Sequence, residues 1–164
     1  MSINWVAAHA DAILDAGYPG EAGGTAVAET LFGDWNPGGR LTVSVPMHVG
    51  QLPVYYYGRH ESRPSYVDMD TTPLYPFGFG LSYTAFTYSR LQVSPERIKA
   101  DETARVSVNV TNAGDVAGDE VVQLYIRDEI CSVMRPWKQL KGFERVHLEP
   151  GETKTVTFPV GWDA

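Results

Sequence analysis

The chain has 164 residues, enough for one ordinary domain or two small ones. Apolar residues make up 43% and charged residues 20%, a globular balance that argues against a disordered chain. The net charge of -7, with no basic stripe, argues against nucleic acid as a partner while leaving room for a neutral substrate such as a sugar. No apolar run reaches the roughly 18 residues that cross a bilayer, and no basic, apolar, small-residue signal opens the chain, so no membrane partner is expected. The one cysteine, Cys131, can form no intramolecular disulfide and no cysteine-built zinc site by itself; it is expected to be a structural thiol.

Ser2 to His9 reads as a short helix with Ser2 as its N-cap. Ala12-Ile13-Leu14 reads as a short buried strand, ended by Gly17 and Pro19-Gly20. Glu21 to Phe32 is predicted helical. Glu21 suits the positive end of its dipole, Ala28, Leu31 and Phe32 share a face, and Gly33 sits where a left-handed C-cap belongs. Leu41, Val43 and Val45 alternate with Thr42 and Ser44 as a half-buried strand stopped by Pro46. Strand, helix, strand over this span implies a crossover and a parallel sheet, and such a unit buries no core alone. It therefore reads as part of an α/β domain.

Met47 to Pro73 shows no period but is rich in tyrosine, which argues for a loop lying against another surface. Leu74 to Thr84 is aromatic, glycine-punctuated and almost uncharged, too stiff and apolar for a solvated linker. It reads as a packed strap between two structural units, with Phe77 and Phe79 or Tyr83 largely buried. After it the period changes to two. Strands are predicted near Phe86 to Val93, then over Ala104 to Thr111, Glu120 to Arg127, Leu140 to Leu148 with a bulge at Gly142, and Thr155 to Val160. Strands at this spacing, separated by turns, point to an antiparallel β-sandwich.

Chemistry is sparse. His9, His48, His60 and His147 include no pair three or four apart, so no helical metal pair exists and each reads as a surface or structural residue. No nucleophile elbow or Walker loop is present, and Gly20, Gly23 and Gly24 read as a tight turn. A retaining glycosidase needs two carboxylates about 5 Å apart. Glu21, Asp34, Glu61, Asp68 and Asp70 lie in or near loops, and nothing singles out a pair. Asn109-Val110-Thr111 matches a glycosylation sequon but falls mid-strand, where chance explains it better. Tyr55 to Tyr57, Tyr66 and Trp137 are the aromatics from which a sugar platform would be built.

Three stretches of the first half resemble glycoside hydrolase family 3: Tyr18-Pro19-Gly20-Glu21-Ala22-Gly23-Gly24, the run Leu31 to Leu41 around Trp35-Asn36-Pro37-Gly38-Gly39, and Val49 to Tyr56. The strap Tyr75 to Thr84 resembles the segment leading into that family's fibronectin type III-like domain, and Arg135-Pro136-Trp137-Lys138-Gln139-Leu140-Lys141-Gly142-Phe143-Glu144 resembles a signature inside it. The resemblance covers essentially the whole chain. It implies that residues 1–46 are the C-terminal end of an α/β sandwich domain, 47–84 the aromatic loop and strap, and 85–164 an immunoglobulin-like, fibronectin type III-like domain that is truncated.

In the family, a β/α barrel supplies the nucleophilic aspartate and an upstream loop of the α/β sandwich supplies the acid/base glutamate. No carboxylate here matches either motif. The resemblance therefore implies no catalytic, cofactor-binding or metal-binding residue in this chain, no cofactor, and no activity of the chain alone. Its partners would be the missing N-terminal catalytic domains, which would act on a β-linked oligosaccharide. An open sheet edge would favour self-association. The whole enzyme is expected to be a β-glucosidase, with a β-xylosidase or a non-catalytic carbohydrate- or protein-binding module as alternatives. The compartment is expected to be periplasmic or secreted, with cytoplasmic left open.

Overall fold

A computed structural model describes residues 2–58 and 71–162. The chain divides into two compact units. The first comprises Met1–Trp35, Arg40–Gly80 and Asp128–Lys138, and the second Asn36–Gly39, Leu81–Arg127 and Gln139–Ala164. The boundary crosses the aromatic strap between Gly80 and Leu81. The fold class is mixed, a partial α/β unit followed by an antiparallel β-sandwich. No helix among the described residues is long and apolar enough to cross a membrane.

In the first unit, helix α1 spans Asn4–His9 and helix α2 spans Gly23–Phe32. Ser2 does not cap α1; the cap position is Ile3, and the Ser2 hydroxyl lies near the Asn4 side chain and the Met47 carbonyl instead. Glu21 precedes α2 rather than opening it. Gly33 does end α2, in the left-handed region at φ 85°, a conformation that glycine adopts without a Cβ penalty. The strands expected on either side of α2 form no parallel sheet. Residues 12–14 have no ladder partner among the described residues, and residues 41–45 contribute one antiparallel bridge, Val45 to Tyr75. A strand exists by pairing, and neither segment has a parallel neighbour among the described residues. The apolar pattern of this unit is therefore not matched by burial. Trp5 is 72% exposed, Leu31 66% and Phe32 86%, although the last two lie on the helix face that the sequence would bury.

The second unit follows its sequence closely. Strands β1 (Phe86–Ser94), β2 (Ala104–Asn112) and β5 (Thr153–Val160) form one antiparallel sheet in the order β1-β2-β5. Strands β3 (Gly118–Ile126) and β4 (Gln139–Leu148) form the other. Alternation sends Val110, Val122, Val146, Leu148, Val156 and Phe158 into one core, with Phe86, Val108 and Leu124 packed at its margin. The bulge anticipated at Gly142 is present: Leu124 pairs with Gly142 and Tyr125 with Leu140, leaving Lys141 as the extra residue. Glycine is needed there, since a Cβ on Gly142 would lie 2.8 Å from Cδ1 of Phe158.

Two asparagines tie the loops of this unit to its sheets. Asn112 ends β2 with no exposed surface. Its Oδ1 accepts from the Thr84 hydroxyl at 2.6 Å and from Gly114 N–H at 3.1 Å; its Nδ2 donates to the carbonyls of Val116 at 2.8 Å and Leu148 at 3.0 Å. Asn36 accepts from the Ser82 hydroxyl and from Tyr83 N–H, both at 2.9 Å, and donates to the Ala117 carbonyl at 3.0 Å. The end of the strap is thus held by side-chain amides where regular pairing has not begun.

Candidate functional site

The features of the first unit that could meet a ligand gather around the aromatic loop and strap. The strap runs antiparallel to residues 41–45. Val45 and Tyr75 exchange backbone hydrogen bonds at 2.8 and 3.3 Å, Leu41 N–H donates to the Phe79 carbonyl, Gly78 N–H to the Leu41 carbonyl, and Phe77 N–H to the Ser44 hydroxyl. Gln51 ties residue 47 to residues 71 and 72. Its buried side chain accepts from Met47 N–H at 2.8 Å and donates to the carbonyls of Thr71 and Thr72, each at 2.9 Å. A buried amide that finds three backbone partners fixes how residue 47 and residues 71–72 meet around it.

On this frame the Tyr56 ring stacks on Phe77 with centroids 4.0 Å apart and planes 14° apart. Tyr57 meets Tyr56 edge-on, and Tyr55 stacks on Tyr57 with centroids 5.5 Å and planes 29° apart. Tyr75 and Phe79 stack at 5.1 Å. Trp137 N–H donates to the Gly58 carbonyl at 3.0 Å, which brings residues 136–138 beside the tyrosine run. Tyr55, Tyr57 and Trp137 stay exposed, whereas Tyr56 and Phe77 are half-buried. The strap is less buried than its composition predicts. Phe79 and Tyr83 are exposed and Phe77 is only half-covered; Phe77 and Phe79 stack in pairs, with Tyr56 and Tyr75, rather than entering a closed core.

The titratable candidates do not converge. Glu21 and Asp34 are exposed on either side of α2, and Glu61, Asp68, Asp70, His60 and Tyr66 lie outside the described residues, as does most of the loop expected over Gln51 to Asp70. His9 stacks on Trp5 and bonds its carbonyl, and His48 accepts from Gly50 N–H. Asn109 sits in β2 and accepts from the Thr155 hydroxyl at 2.9 Å. Cys131, expected to be a structural thiol, is a free and exposed cysteine. No group of three histidines, cysteines or carboxylates that could hold a metal occurs among the described residues.

One charged cluster does form, on the outer face of β3 and β4. Partial burial pushes the Asp119 carboxyl up, but hydrogen bonds from His147 and Arg145 outweigh it and hold the group below its ordinary range. His147 is raised by its hydrogen bonds to Asp119 and Glu149. Glu152 is lowered by the Glu149 N–H and by Lys154. These are cross-strand and turn contacts on an exposed surface, not a poised acid and base.

Between the two sheets lies a cleft of about 440 Å³, walled by Tyr88, Val106, Val108, Val122, Leu124 and Phe158. The Tyr88 hydroxyl donates to Glu120 at 2.7 Å. The lining is mostly apolar, with Ser89, Arg90 and Gln123 also at the wall, and among the described residues it brings together no pair of carboxylates.

Known proteins resolve what the geometry leaves open. A model described as the glycosyl hydrolase family 3 C-terminal domain matches residues 1–83, and a fibronectin type III-like domain model matches residues 120–164. The chain belongs to glycoside hydrolase family 3. A β-xylosidase from Formosa agariphila is 52% identical over 167 residues, covering 99% of this chain and 23% of the relative. A periplasmic β-glucosidase from Salmonella typhimurium is 47% identical over 166 residues, covering 94% of this chain and 22% of the relative. Among solved structures, a β-glucosidase from Erythrobacter marinus superposes with a TM-score of 0.93 at 53% identity, covering 96% of this chain and 21% of the other. A family 3 chain of this length therefore spans under a quarter of each of these proteins. The sequence motifs point to the family, but nothing in the sequence singles out the buried amides Gln51 and Asn112 or the half-buried Asn36. Asn36 was visible only as part of an Asn-Pro-Gly-Gly turn.

Proposed function

We propose that this chain is the C-terminal portion of a longer retaining β-glycosidase that removes terminal β-glucosyl residues in carbohydrate breakdown. The observation that carries this reading is the full-length similarity to several-fold longer β-glucosidases and β-xylosidases. Retention requires one carboxylate to attack the anomeric carbon and another to protonate the departing oxygen. No carboxylate in the sequence matches either catalytic motif of the family, which supports placing both outside this chain and expecting the chain alone to be inactive.

Its own contribution is support. Residues 1–46 complete an α/β sandwich domain, 47–84 form the loop and strap, and 85–164 form the fibronectin type III-like domain. The exposed Trp5, Leu31 and Phe32 are the face on which the N-terminal catalytic domains rest. The free edge of the two-stranded sheet favours self-association when the chain is by itself. A periplasmic or secreted setting accords with a relative named for the periplasm. A β-xylosidase is the second reading, favoured by the relative of that name at 52% identity.

The test is hydrolysis of nitrophenyl β-glucoside and β-xyloside by two proteins, this chain and the same chain joined to its upstream coding sequence. Activity is expected of the longer protein only, and the ratio of the two substrates decides the sugar. Turnover by the purified 164-residue chain, or none by the folded longer protein, overturns the proposal.

A further inference from the structure

We draw no further inference here: the strongest candidate, the mostly apolar cleft between the two sheets walled by β1, β2, β3 and β5, is an open apolar face, and nothing in the structure shows what covers it.

Discussion

Asn112 offers the sharpest energetic test of how the β-unit is held together. Its side chain makes four hydrogen bonds in a site with no exposed surface. A neutral hydrogen bond contributes about 0.5–1.5 kcal/mol net, and a buried group left without a partner costs about 1–3 kcal/mol. Asn112→Ala abandons the Leu148 carbonyl, which lies in the core, together with the Thr84 hydroxyl and Gly114 N–H. Thr84 and Gly114 can turn in part to water, so we expect a loss of about 3–4 kcal/mol, a large share of the 5–15 kcal/mol that holds a typical domain. Asn112→Asp keeps the shape and reverses the polarity, so that an oxygen faces the carbonyls of Val116 and Leu148. It should destabilise as much as alanine at neutral pH. Its burial and those carbonyls raise the new carboxyl's folded pKa, so the loss should shrink as pH falls toward the ordinary carboxylate range, where protonation restores one donor. Urea unfolding followed by circular dichroism, at pH 7 and pH 4, measures both effects. A loss under about 1 kcal/mol for both variants at pH 7 would refute the reasoning.

Asn36→Ala removes three partly buried hydrogen bonds and should cost about 2 kcal/mol in the same assay, with the Tyr83 amide exchanging faster with solvent. Gly142→Ala should cost about 1–3 kcal/mol by forcing Phe158 from its position, and a Phe158→Leu background should relieve part of that loss. The Asp119–His147 pair contributes stability that is lost as pH falls through the lowered Asp119 value and, separately, as pH rises through the raised His147 value. The stability difference between the parent chain and Asp119→Asn should therefore be largest between about pH 4 and pH 6.5; a difference that does not vary with pH would count against the pairing. Light scattering on the chain alone should show concentration-dependent association through the free sheet edge, and a monodisperse monomer with a sharp, high-temperature transition would contradict it.

The two units differ in how much of them the sequence discloses, and the reason is physical. In β2 and β5, Val106, Val108 and Val110 face Phe158, Val156 and Lys154 in register, so a period of two in each strand corresponds to a real neighbour a few ångströms away. In the first unit the same kind of pattern finds no ladder partner at residues 12–14 and only the strap, at the Val45–Tyr75 bridge, at residues 41–45. Residues 12–14 and 41–45 carry strand-forming side chains, and Leu31 and Phe32 carry an apolar helix face, but pairing and burial require a surface that the described residues do not supply. Helix α2 was still legible because Gly33 ends it by local geometry alone. The aromatic site was legible as composition only. That Tyr56 would be the anchor and Tyr55 and Tyr57 the exposed rings depended on Phe77 arriving from the strap, a long-range contact with no period to betray it. The amide hubs were hidden for a similar reason, since one asparagine in a turn looks like another until its partners are known.

Neither unit is a continuous piece of sequence. Asn36–Gly39 belongs to the β-unit although it lies far upstream of β1, and Asp128–Lys138 belongs to the first unit although it lies between β3 and β4. Gly38 approaches β3 so closely that a Cβ would lie 2.8 Å from the Asp119 carbonyl oxygen, and Gly118 has Asn36 where its own side chain would be. Anyone who transplants the β-domain between family members by cutting once, at the strap, would leave a strip of it behind and carry off a strip of its neighbour. A working exchange needs three pieces moved together, with Asn36–Gly39 travelling alongside the strands and 128–138 left at home.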